Sequence, residues 1–313
     1  MKAVICTKYG PPEVLEIRDI KKPIPKDDEV LIKIHATTVH VGDTKLRGFK
    51  PGLGKFQDFL FKPIMRFMIG FRGPRNKVLG MELAGEIEAT GKDVTLFKTG
   101  DKVFAATEMT FGAYAEYKCM SENSVLAKIP ANKSYEEAAP IPNGGITALR
   151  FLRIANLQKD QKILIYGASG SVGTYAVQLA KHMGAEVVGV CSTSNLDMVR
   201  LLGADKVIDY TQGDFTKGPE MYDVIFDAVG KVSHSVCKNI LKPAGVYLNV
   251  LKSSGGLKLK NEELMFLQKL FTKGEIKSVI DRRYSLDQIV EAHHYVDKGH
   301  KKGNVIITVG TET

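Results

Sequence analysis

Over the first 125 residues the hydrophobic positions fall in short runs broken by glycine and proline: Val30-Leu31-Ile32-Lys33-Ile34, Ala84-Gly85-Glu86-Ile87-Glu88 and Asp101-Lys102-Val103-Phe104. Gly80, Gly85, Gly91 and Gly100 punctuate them, as the tight turns of an all-β unit require. From residue 134 the rhythm changes. Strand-like runs (162–166, 186–190, 206–208, 223–227, 246–250) alternate with helical ones (171–183, 195–202, 233–241). That alternation predicts a parallel, doubly wound sheet. Helices over 261–273 and 285–298 follow, the second opening on Ser285 as N-cap, and 304–309 reads as a last strand.

One stretch breaks this pattern. Residues 51–77 carry six Lys or Arg against the single acid Asp58, among Phe56, Phe59, Leu60, Phe61, Phe67, Met68 and Phe71. A basic, aromatic piece of this kind can lie on a membrane surface. Pro63 divides it, and a flap over an apolar cleft is expected ahead of membrane contact.

The strongest chemical signal is Ile163-Leu164-Ile165-Tyr166-Gly167-Ala168-Ser169-Gly170-Ser171-Val172-Gly173. It leaves a hydrophobic strand and opens a helix whose apolar positions recur every three to four residues, the context a dinucleotide-binding turn needs. Its glycines permit a tight turn and close backbone approach, and the helix N-terminus suits a pyrophosphate. An NAD-binding strand would end in Asp or Glu to hold the ribose 2′-hydroxyl. Here the second strand ends in Cys191-Ser192-Thr193-Ser194-Asn195, with no acid until Asp197. Small hydroxyls without a carboxylate favour NADPH over NADH.

Composition narrows the class. A chain of 313 residues, 44% hydrophobic and 25% charged, is expected to form two globular domains. The start at Met1-Lys2-Ala3 runs into a strand-like segment with no signal-peptide core, and no apolar run is long enough to span a bilayer. Cys6, Cys119, Cys191 and Cys237 are scattered, which fits a reducing, cytoplasmic setting. The net charge of +9 comes with neither zinc-finger spacing nor an RNA-binding aromatic motif, so nucleic acid is not an expected partner.

In order and spacing, several motifs together resemble the medium-chain dehydrogenase/reductase superfamily, in its zinc-free, zeta-crystallin-like NADPH:quinone oxidoreductase branch. They are Gly80-Met81-Glu82-Leu83-Ala84-Gly85, Gly100-Asp101-Lys102-Val103, Phe111-Gly112-Ala113-Tyr114-Ala115-Glu116-Tyr117 and Gly144-Gly145-Ile146-Thr147-Ala148. The Gly-rich turn, Leu202-Gly203-Ala204-Asp205, Asp209-Tyr210, Asp227-Ala228-Val229-Gly230 and Lys242-Pro243-Ala244-Gly245 complete the set. The resemblance covers almost the whole chain. It implies an α/β fold: a GroES-like β-barrel domain over 1–122, completed by 277–313, and a Rossmann doubly wound parallel-sheet domain over 123–276.

The resemblance also implies site residues. Thr147 and the Asn249–Leu251 backbone would hold the nicotinamide end, residues 167–173 the pyrophosphate, and Ser192 and Tyr210 the adenosine end, with Val229 a further cofactor contact. The positions that bear catalytic zinc in other members are His40, Met81 and Asn143 here, which cannot make a three-ligand zinc site, so no metal is expected. His293, His294 and His300 are expected to be exposed and without a metal role. His40, where relatives commonly have Asn, is either a hydrogen-bond donor to the substrate oxygen or a polar wall residue; Asn143 is a second candidate for that oxygen. Lys or Arg often follows the second strand in relatives, where this chain has Ser194 and Asn195. Relatives also carry an extra dimer-forming strand after the segment 246–250, which is short here, so both monomer and homodimer stay open.

The implied activity is hydride transfer to a quinone or other activated alkene or carbonyl, with a small molecule as partner. Enone or alkenal double-bond reduction, and a non-catalytic, crystallin-like NADPH-binding role, are the alternatives.

Overall fold

The computed structural model describes residues 1–49, 63, 66–67, 69–253 and 259–310. The chain divides into two compact units, residues 1–142 with 280–313, and residues 143–279. The junctions therefore fall at 142/143 and 279/280, where the sequence places them at 122/123 and 276/277. Strand Leu126–Lys128 pairs with Lys102–Ala106, and the Tyr135 ring stacks on His35 at 4.4 Å, which ties this stretch to the first unit.

The first unit holds a two-stranded antiparallel ribbon, β1 (Lys2–Cys6) with β2 (Leu15–Asp19). Its larger sheet contains β3 (Glu29–Thr38), β4 (Glu82–Thr90), β5 (Lys102–Ala106), β6 (Tyr117–Ser121), β7 (Leu126–Lys128), β13 (Ile280–Ser285) and β14 (Asn304–Thr308). The order is β13-β14-β3-β4-β5-β7, with β6 paired to β3. Only β13 and β14 run parallel; the other pairs are antiparallel. β3 is longer than the sequence suggested because it is shared: residues 29–33 pair with β6, and 36–38 with β14. Val30, Ile32, Ile34, Leu83, Ile87, Val103, Val305 and Ile307 are buried together in its core.

The second unit is a five-stranded parallel sheet: β8 (Lys162–Tyr166), β9 (Glu186–Cys191), β10 (Lys206–Asp209), β11 (Tyr222–Asp227) and β12 (Leu241–Asn249). The order β10-β9-β8-β11-β12 starts at the centre, winds outward one way, then restarts on the other side of β8. Ile163, Leu164 and Ile165 are fully buried, the mark of a central parallel strand covered on both faces. The predicted helix over 233–241 shrinks to His234–Cys237 and a 3-10 turn at Lys238–Ile240, because Leu241 is drawn into the sheet opposite Tyr222. β12 is an edge strand, where Pro243 is tolerated. The helix Asn261–Lys273 ends on Gly274 in the left-handed conformation. Ser285 caps as expected, although it starts a 3-10 turn that leads into the helix Ile289–Asp297. Residues 254–258, where an added strand would begin, lie outside the described residues, as do 50–62, 64, 65 and 68 of the basic aromatic segment.

Candidate functional site

A doubly wound sheet binds ligands at the carboxyl ends of its strands, beside the point where the strand order reverses. In the second unit that point lies between β8 and β11. Tyr166 pairs with Asp227 and with Val190, Cys191 with Asp209, and Asp227 with Asn249, so all five strands end level. The Gly-rich turn follows β8, Ser192 follows β9, Tyr210 follows β10, Val229 follows β11 and Leu251 follows β12. Every cofactor residue named from the sequence except Thr147 therefore stands on one edge. Thr147 lies on the helix Ile141–Ile154, as the partly exposed position in an otherwise buried run from 141 to 150.

The turn is shaped by what its glycines leave empty. Gly167 has φ +78, and a Cβ there would sit 2.1 Å from Val229 Cγ2. A Cβ on Gly173 would meet the Gly167 carbonyl oxygen at 2.1 Å. The helix Ser171–His182 begins directly after Gly170, which brings no side-chain cap to its first turn. Its positive dipole end opens onto the strand edge beside Ser169 and Ser171.

Two polar hubs hold the surrounding loops. Asp227 is fully buried; Oδ1 accepts from the Val229 and Gly230 amides at 3.1 and 2.8 Å. Its Oδ2 accepts from the Val232 amide at 2.7 Å and from Asn249 Nδ2 at 3.0 Å. Asn249 Oδ1 in turn accepts from the Leu251 and Lys252 amides at 3.0 and 3.2 Å. The pair thus fixes the loops after β11 and β12, and the Asn249 side chain is committed inward. The second hub is Asn195, whose Nδ2 donates to Ser192 Oγ and Ser169 Oγ at 3.0 and 3.2 Å. Asn195 Oδ1 is buried without a hydrogen-bond partner. Sequence reading gave no role to Asp227 or Asn195. Asp227 lies inside a quoted motif and Asn195 just after the second strand, but nothing in the sequence says which polar side chains turn inward.

Three apolar side chains on this edge remain in solvent: Tyr210 at 46%, Val229 at 43% and Leu251 at 46% exposure. An orphaned buried amide oxygen, a glycine cradle, small hydroxyls and three exposed apolar side chains together suit a dinucleotide. Asp209 adds a carboxylate near the adenosine end, where its oxygens accept from Thr193 Oγ1 at 2.5 Å and from the Thr211 amide and hydroxyl. Those hydrogen bonds hold it below the usual carboxylate range, so it is ionised at neutral pH.

In the first unit His40 ends the β3 segment and caps the short helix Val41–Arg47. Its Nδ1 accepts from the Gly42 amide at 3.0 Å, so the neutral ring carries its proton on Nε2. Burial, with Lys301 and Lys45 nearby, pushes His40 down to about 4. His40 is therefore a neutral N–H donor at physiological pH rather than an acid. Lys301, in the same corner, donates to the Gly303 carbonyl at 2.5 Å, and burial pushes it down to about 8. Asn143, in the second unit, is buried.

Behind His40 runs a buried polar chain. Asp43 accepts from the His40 amide at 3.1 Å, from the Gly80 amide at 3.0 Å and from the Tyr114 hydroxyl. Burial nevertheless pushes the Asp43 carboxyl up to about 7. Tyr114 meets His293 Nε2 at 3.2 Å, and His293 Nδ1 accepts from Arg47 Nε at 3.3 Å. Arg47 is 2% exposed and also pairs with Asp297. This corrects the expectation for His293, which is fully buried; His294 is exposed and meets Glu13 at 2.7 Å, and His300 is exposed. Met81 Sδ lies over Gly42 beside the His40 ring. The zinc-matched positions thus offer an imidazole, a thioether and an amide, a donor set that does not fit catalytic zinc. Among the described residues no three His, Cys, Asp or Glu are grouped to hold a metal.

Comparison with known proteins agrees with this architecture. Residues 26–131 match the alcohol dehydrogenase GroES-like domain, and 171–280 and 254–307 match zinc-binding dehydrogenase families. A 2-methylene-furan-3-one reductase of Solanum lycopersicum is 33% identical over 98% of this chain and 79% of its own. An NADPH-dependent alkenal/one oxidoreductase, chloroplastic, of Arabidopsis thaliana is 30% identical over the same shares. The solved structure of the quinone oxidoreductase from Coxiella burnetii superposes with a TM-score of 0.83 at 30% identity, over 99% of both chains. With its Rossmann-type sheet and GroES-like domain, this chain belongs to the medium-chain dehydrogenase/reductase superfamily, among the quinone and alkenal oxidoreductases.

Proposed function

We propose that the chain is an NADPH-dependent, zinc-independent oxidoreductase that transfers a hydride to a quinone or another activated alkene or carbonyl. The observation that carries this reading is the strand edge at β8 and β11, with its glycine cradle, exposed apolar side chains and loops fixed by Asp227 and Asn249. Its relatives' names supply the substrate class: alkenals and enones in the plant enzymes, a quinone in the bacterial one.

The chemistry supplied by bound NADPH is a hydride, two electrons with one hydrogen. The chain's own residues bind and orient. Residues 167–173 would take the pyrophosphate on backbone N–H groups, and Ser192, through a hydroxyl steadied by Asn195, the adenosine ribose. Thr147, Val229 and Leu251 would bracket the nicotinamide. NADPH rather than NADH follows from the absence of a carboxylate at the end of β9, and Asp209 limits the margin. His40 Nε2–H is suited to polarise a substrate oxygen as negative charge develops there, without giving up its proton. Asp43 and Lys301 both titrate close to neutrality, and Lys301, which unlike Asp43 is only partly buried, is the better source of a proton.

The test is NADPH oxidation by purified, metal-free protein against a panel of quinones and α,β-unsaturated carbonyls, with NADH in parallel. Turnover that prefers NADPH is expected. Tight NADPH binding with no turnover on any acceptor would overturn the enzyme reading and leave a cofactor-binding protein.

A further inference from the structure

The basic aromatic segment is not absorbed by the redox site. Its described residues 66, 67 and 69–77 are pinned to the first unit through their backbone. The Tyr9 amide donates to the Arg72 carbonyl at 3.2 Å, the Tyr9 hydroxyl to the Gly70 carbonyl at 3.0 Å, and the Cys6 amide to the Lys77 carbonyl at 2.7 Å. The Arg75 amide closes the loop on the Ile69 carbonyl at 2.8 Å. What this fixed backbone presents outward is unusual. Phe67 and Phe71 are each 71% exposed, and Arg66, Arg72, Arg75 and Lys77 are exposed around them.

These six side chains line an open basin of about 540 Å³. Arg75 donates to the Phe67 carbonyl at 2.6 Å, which seats a guanidinium beside the Phe67 ring. None of the four cations is ion-paired with a described carboxylate, and the sequence from 59 to 81 contains no Asp or Glu. Two exposed phenylalanines this close together form an apolar patch of the kind that marks an interaction surface. Apolar rings ringed by cations match a partner with an anionic layer over an apolar interior.

We infer that this face docks on an anionic lipid surface, the Phe67 and Phe71 rings entering the acyl boundary while Arg66, Arg72, Arg75 and Lys77 meet lipid phosphates. A nucleic acid is the lesser match. Groove readout of a duplex needs polar side chains, and the Asn76 amide, the neutral polar group of this turn, is taken by the Thr110 carbonyl; a single strand, which stacks on rings among cations, is the alternative that the test separates. The inference is independent of which substrate the chain reduces.

The sequence contains no tryptophan, so Phe71→Trp provides a single fluorescent reporter on this face. The variant is mixed with vesicles of phosphatidylcholine alone, or with three parts in ten phosphatidylglycerol. A blue shift with the anionic vesicles only, quenched by bromine-labelled acyl chains, is expected. Arg66→Gln and Arg72→Gln should each weaken vesicle partitioning about fivefold. Leu201→Trp, 77% exposed in the second unit, is the control for bulk attraction by the net charge and should not shift. Phe67→Trp serves as a second reporter should the first fold poorly. No shift at either position with anionic vesicles overturns the proposal, as does an equal shift at residue 201. A shift at residue 71 with a single-stranded oligonucleotide but not with vesicles would replace the lipid by nucleic acid.

Discussion

Asp227→Asn changes one oxygen to an amine at the centre of the proposed cofactor site. The carboxylate accepts four hydrogen bonds, two on each oxygen, and the amide can accept on only one side. If its NH2 faces Val232 and Asn249, two donors confront a donor; if it is flipped, the Val229 and Gly230 amides do. Hydrogen bonds to a charged group contribute about 1.5–3 kcal/mol each, so losing two should cost about 3–6 kcal/mol of stability. At about 4 °C per kcal/mol the second unit should then melt roughly 12–24 °C earlier. The loops bearing Val229 and Leu251 also lose their anchor. Re-ordering two such side chains on binding costs about 1–3 kcal/mol, or roughly 5- to 150-fold in the NADPH Kd. Calorimetric melting, with cofactor titration well below the lowered Tm, measures both. A variant melting within 2 °C of the wild type and binding NADPH within twofold (about 0.4 kcal/mol) would refute the reasoning.

Three further outcomes follow from the geometry. His293 is held neutral, its pKa pushed down to about 3, so the fold binds fewer protons than the unfolded chain below pH 6.5. Its contribution is present above that pH and fades as pH falls, by about 1.4 kcal/mol per unit. His293→Gln should therefore lose less stability than the wild type between pH 7 and 5 in denaturant titrations, by about 2 kcal/mol. Asp43, whose raised pKa acts in the opposite sense, reaches His293 through Tyr114, so the comparison is made in the Asp43→Asn background as well, where that titration is absent; parallel curves in both would sink the claim. Gly167→Ala should cost NADPH binding at least tenfold, about 1.4 kcal/mol, by equilibrium titration, since its Cβ has no room beside Val229. Asp209→Asn should raise the NADPH-over-NADH ratio of kcat/KM about two- to fivefold, through one fewer negative charge near the 2′-position; an unchanged ratio would remove Asp209 from the specificity argument.

The doubly wound sheet was legible because its strands are short apolar runs at regular spacing, and the turn after β8 because only a cofactor site needs so many glycines between a strand and a helix. The buried polar chain was not. Ile289, Ala292, His293 and Val296 share the buried face of their helix, although His293 was expected to be exposed. A histidine on an apolar face reads as a solvent residue until its partner is known, and Arg47 is 246 residues away in sequence, with no local pattern tying the two. Asp227 was quoted as a motif member and Asn249 for its backbone, yet the union of their side chains arises only where β11 and β12 lie side by side. The shortened helix at 234–237 failed for a similar reason, since helical periodicity up to Ile240 does not reveal that Leu241 is claimed by Tyr222.

The division of one edge of β3 between β6 and β14 has a consequence for how the protein is made. Its segment 29–33 can pair with β6 once residue 121 has emerged from the ribosome, but 36–38 waits for β14. During translation the whole parallel-sheet unit is completed while that half-strand, directly before His40, keeps an open edge. Such an edge is a template for mispairing between nascent chains. The Val39 amide finds the Val305 carbonyl at 3.0 Å only at the end of synthesis, so the His40 corner is among the last parts of the protein to become ordered.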